Sequence, residues 1–74
     1  MENVQKFRAE ITAIRENVWS SNSMVFDTVE EARQWLIGLS QRWFGCDMGR
    51  VVSDDTPRNQ TVSESDELVF NFRN

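Results

Sequence analysis

The residues able to do chemistry are few. There is no His among the 74 residues, so a Ser or Cys nucleophile would need a carboxylate, Lys6 or the terminal amine as its base. Cys46 is the single thiol. It is expected just beyond a helix C-terminus, where the dipole disfavours a thiolate, and reads as a small packed side chain. Asp54 and Asp55, with Asn59 or Glu64, could offer oxygen ligands to a hard cation, but calcium-loop spacing is absent. Neighbouring acids beside Pro57 read instead as turn formers. A carboxylate pair of the glycosidase kind needs a deep cleft, which so short a chain rarely builds. The expectation is no catalytic residue, no metal and no cofactor. Recognition remains. Trp19, Trp35 and Trp43 are large rigid rings with an indole donor. Trp19, beside a run of Ser, is expected to expose its ring. Arg42 next to Trp43, with Arg50 on the following strand, could hold a carboxylate or phosphate. The rival reading pairs Arg42 with an acid and puts Trp43 in the core.

These side chains must be positioned by a single small domain spanning residues 1–74. The clearest element is a helix from Val29 to Phe44. Thr28 is a suitable N-cap, Glu31 completes a capping box, and Gly45 stands where a left-handed C′ residue would. Ala32, Leu36, Leu39 and Trp43 fall on one face, with Val29 and Trp35 at its margins. Ile37 and Phe44 lie off that stripe, beside Arg33, as a candidate partner or subunit surface.

The first segment supports two periodicities. Val4, Phe7, Ile11, Ile14 and Val18 follow a 3-4-3-4 helical spacing, while Phe7, Ala9, Ile11 and Ala13 alternate with polar residues as in a half-buried strand. The Ser- and aromatic-rich stretch Val18–Phe26 suits a strand, and a turn at Arg15-Glu16-Asn17 would pair the two as a hairpin. Gly49–Ser53 reads as a strand, residues 54–66 as a polar loop, and Glu67–Arg73 as a strand with Leu68, Phe70 and Phe72 inward. The expected class is α+β, a two-layer β-β-α-β-β arrangement with one helix on a small, mainly antiparallel sheet. The sheet's other face would be open, which suggests a homo-oligomer.

Charge narrows the partners. Residues 1–45 carry five bases and six acids, residues 46–74 three bases and six acids, for a total of −4. No cationic cluster exists to displace counterions, so direct nucleic-acid binding is disfavoured. An acidic distal half could instead meet a basic protein or imitate a phosphate backbone. No apolar run approaches the roughly 20 residues of a membrane span, and a lone Cys suits a reducing cytoplasm.

Four stretches then line up: Trp19-Ser20-Ser21-Asn22; Phe26-Asp27-Thr28-Val29-Glu30-Glu31-Ala32; Leu39-Ser40-Gln41-Arg42-Trp43; and Arg50-Val51-Val52-Ser53-Asp54-Asp55-Thr56-Pro57-Arg58-Asn59. In order and spacing they resemble a family of small bacteriophage accessory open reading frames. The likeness covers roughly residues 5–59, departing at Thr56 and in the tail from Gln60. It implies phage origin, a short β-β-α-β fold and a host bacterial cytoplasm. It marks Trp19, Asn22, Arg42, Trp43, Arg50 and Asn59 as positions of interest without assigning roles. The leading expectation is a non-enzymatic protein that binds and inhibits a host bacterial factor, as an anti-defence protein would. The alternatives are an oligomeric sponge for a nucleotide signal and an acidic nucleic-acid mimic.

Overall fold

Alternation in the first segment places two different sets of side chains on the two faces of a strand, and both sets are used. The computed structural model describes residues 5–13, 15–21 and 24–72. Among them the elements are β1 (Phe7–Ala13), β2 (Ser20–Ser21), α1 (Val29–Arg42), β3 (Cys46–Ser53) and β4 (Leu68–Asn71). The strands form one antiparallel sheet in the order β2-β1-β3-β4. This is the expected α+β, β-β-α-β-β layout. Arg15, at φ 70, makes the turn out of β1, and its neighbour Glu16 closes on the Ala13 carbonyl at 3.0 Å. Among the described residues beyond Ser21, the second segment pairs again at an isolated bridge, Phe26 to Phe7.

Thr28 caps α1, its hydroxyl accepting the Glu31 amide at 3.1 Å, with Glu30 and Glu31 favoured by the dipole in the first turn. Ala32 and Leu36 are fully buried against Ala9, with Ile11, Phe26, Trp35, Val51, Val69 and Phe70 packed around them. Burying Leu36 contributes about 1.5–3 kcal/mol. Gly49 is required under this layer: a Cβ there would lie 2.4 Å from the Phe70 ring.

The helix end differs from expectation. It stops at Arg42, with Trp43 as an extended cap whose amide reaches Leu39 O at 3.0 Å. Gly45 is not left-handed. It is small because the Trp43 indole lies over it, 2.7 Å from where a Cβ would be. The Cys46 amide meets Trp43 O at 3.3 Å, so Phe44 and Gly45 form the tip of a tight turn into β3.

Two further expectations are corrected. In β4 a register shift opposite Gly49 and Arg50 turns Val69 as well as Phe70 toward the helix, while Leu68 pairs with Arg50 and Phe72 is 57% exposed. The sheet's second face is not open. Segment 54–66 lies across it as a strap, tied at one end by Asp54 N to Lys6 O and in the middle by Trp19 N to Gln60 O, each 2.9 Å. Arg8, Glu10 and Thr12, the polar half of β1, are buried beneath it. No helix of the described residues is long and apolar enough to cross a membrane.

Candidate functional site

Register decides what lies under the strap. Antiparallel pairing sets Glu10 directly opposite Arg50 and Arg8 opposite Val52, so all three charged groups share one face. The Glu10 carboxylate accepts from both arginines: Arg8 Nη2 at 2.8 Å on one oxygen and Arg50 Nε at 2.8 Å on the other. Arg8 also donates to the strap carbonyls of Asp54 (2.9 Å) and Thr56 (2.8 Å). Arg50 reaches Asp66 Oδ1 at 2.6 Å and Gln60 Oε1 at 2.9 Å. Trp19 is completely buried; its indole donates to Asp66 Oδ2 at 2.9 Å and its ring lies 4.6 Å from the Arg50 guanidinium carbon. Among the described residues no buried side-chain polar atom lacks a partner. Both cations are paired, with Glu10 and Asp66 in close contact and the exposed Asp54 carboxylate 3.8 Å from Arg8, so the two guanidinium groups are spent on fastening the strap.

Burial raises the Asp66 pKa, but the Ser63 amide, the Trp19 indole and the Arg50 charge together outweigh it and hold the carboxyl below its usual 3.8. A depressed folded value contributes stability that is complete above the unfolded value and lost as pH falls through the folded one. Asp66→Asn is therefore expected to lower stability at neutral pH and to flatten the acid limb below about pH 4. Urea titrations between pH 6 and pH 2 check it; an unchanged acid limb would show that Asp66 does not carry this effect.

The expected ligand constellation does not assemble. Trp19, expected to be exposed, has no accessible surface, and Arg50 is spent on Glu10, Asp66 and Trp19 rather than standing beside Arg42. Arg42 is exposed in the last helical turn, where it complements the dipole. Asn59, at φ 62, is a left-handed residue in the exposed part of the strap, a conformation Asn tolerates well. Asn22 lies outside the described residues. Cys46 is buried in β3, and its thiol is pushed up to about 11 by burial and then by the Asp47 charge, which disfavours the thiolate near neutral pH. Among the described residues no group of three Cys, Asp or Glu could hold a metal.

The accessible features gather around Trp43, which is 41% exposed. On one flank a mainly apolar cleft of about 270 Å³ runs between the helix and the β1–β2 edge. Trp35, Leu39 and Trp43 form its helical wall, Ala9 and Ile11 its floor, and Ser20 and Ser21 its far rim. Phe26 holds Trp35 in a tilted ring contact at 6.0 Å between centroids. Arg58, from the strap, donates to Ser21 Oγ at 2.6 Å. On the other flank a groove of about 490 Å³ is bounded by Trp43, Phe44 and Phe72. The four-residue spacing of Trp35, Leu39 and Trp43 was the one signal for the cleft; its strand-side wall had none.

No family model, curated protein or solved structure matches the chain. The geometry of this end of the molecule carries the functional reading.

Proposed function

We propose that this is a non-catalytic binding protein that docks on a host bacterial protein and blocks it, in the manner of a phage accessory or anti-defence factor. The observation that supports this most is the Trp35–Leu39–Trp43 cleft. Two indoles flank a recess that takes one apolar side chain, and a hydroxyl rim offers hydrogen bonds at its edge. Large aromatic anchors around a small desolvated pocket with a polar rim are the usual makings of a protein-binding hot spot. The motif likeness to phage reading frames supplies the host direction. The nucleotide-sponge reading is weaker, because Trp19 and Arg50, two of the four residues it relies on, are turned inward and hold each other.

The test is capture from bacterial lysate with the intact chain, followed by mass spectrometry and by Ser20→Arg. Ser20 is exposed on the rim, so the longer side chain obstructs the cleft without disturbing the core. A stoichiometric protein should be retained by the wild type and bound at least about tenfold more weakly by the variant. Recovery of no such protein, or equal retention by Ser20→Arg, would count against the reading.

A further inference from the structure

We propose that the Phe44 end of the molecule is a homodimer interface, in which the Phe44 ring of each copy enters the groove beside Trp43 and Phe72 of the other. This is independent of the host-protein reading, which uses the opposite flank of Trp43.

Phe44 is 93% exposed, Phe72 57% and Trp43 41%, and all three border one groove. Scattered apolar residues on a surface are ordinary; three aromatic side chains around one recess mark a contact. The position of Phe44 is also out of character. It sits at the tip of the turn closed by Trp43 O and Cys46 N, where polar residues and Gly are normal and the backbone needs no ring. At that exposure the fold itself makes almost no use of the side chain.

A knob and a hole thus lie side by side on the same patch. That is the condition for an isologous pair: one two-fold axis through the patch seats each knob in the other copy's hole, and the contact closes without leaving a free end. A foreign partner would need only one of the two features. Charge fits the same symmetry. Asp47 lines the groove on its β3 side and the exposed Arg42 precedes Trp43, so charges of both signs stand near the patch. Rim pairs add little affinity but set orientation. Each chain carries −4, so long-range repulsion opposes association and added salt should strengthen it.

Sedimentation equilibrium from about 10 μM to about 1 mM at low and moderate salt tests this directly. The wild type should dimerise, more tightly at the higher salt, with Trp emission shifting to the blue as Trp43 is covered. Phe44→Glu should weaken the dimer by about thirtyfold or more, and Phe44→Ala in the same direction. Circular dichroism should be unchanged in both, because the ring is outside the core. Ser20→Arg should dimerise like the wild type. A monomer at every concentration, leaving the groove to another protein or a small ligand, would overturn the proposal. So would a Phe44→Glu dimer as tight as the wild type's.

Discussion

Replacing Glu10 with alanine is expected to cost about 3–5 kcal/mol, close to the limit the chain can survive. At about 0.05–0.15 kcal/mol per residue, 74 residues give a total stability of about 4–11 kcal/mol. The large effect follows from the position of one carboxylate. Glu10 is fully buried and, among the described residues, is the only group that accepts from both Arg8 and Arg50. Without it, Arg50 keeps Asp66 and Gln60, and Arg8 keeps strap carbonyls with the Asp54 carboxylate at 3.8 Å. Two buried guanidinium groups would then share one face of the β1–β3 ladder without the carboxylate that bridges them. Glu10→Gln keeps the shape and one acceptor oxygen but removes the charge, so its loss should be intermediate. Urea denaturation measures both. A loss below about 1 kcal/mol for Glu10→Ala would mean that water reaches the arginines and that the strap does not seal this face.

The second large effect is expected at Trp19. Trp19→Ala should cost about 3–5 kcal/mol, the range for emptying a buried aromatic site. Three contacts disappear together: the packing of the ring, the indole donation to Asp66, and the ring face beneath Arg50, worth about 1–2 kcal/mol when desolvated. Trp19→Phe separates them. It keeps most of the packing but loses the indole N–H, while Asp66 Oδ2 still accepts from Ser63 N at 2.7 Å, so the cost should be near 1 kcal/mol. Both variants should loosen the strap more than the helix. Limited proteolysis after Arg58 should therefore accelerate by a larger factor than amide exchange in α1. Equal acceleration of both would show that Trp19 supports the whole fold and not the strap in particular.

These two residues also show how much could be read along the chain. The Thr28 cap, the first-turn acids and the Ala32/Leu36 stripe are local signals, and the helix they announce is present with the same start. The strand at Phe7–Ala13 was legible once alternation was preferred over the 3-4-3-4 spacing, and the strand–turn–strand, helix, strand, strand order followed from it. Trp19 and Arg50 were legible as unusual residues but not in their role. Trp19 looked exposed because Ser residues follow it in sequence, and Arg50 read as a cation open to a ligand, whereas in space both meet residues of the strap.

Sequence alone determined the elements and the layer architecture, because helix caps and side-chain periodicity act within a few residues. Only the tertiary structure decided which face of the sheet is sealed and where the accessible aromatic surface lies. Arg8 meets the Thr56 carbonyl 48 positions away, and Trp19 meets Asp66 47 positions away. A charged side chain reads as solvated until the β1–β3 register sets Glu10 opposite Arg50 and the strap closes over them. That closure places the candidate contacts on Trp43, Phe44 and Phe72 and keeps Trp19 and Arg50 inside.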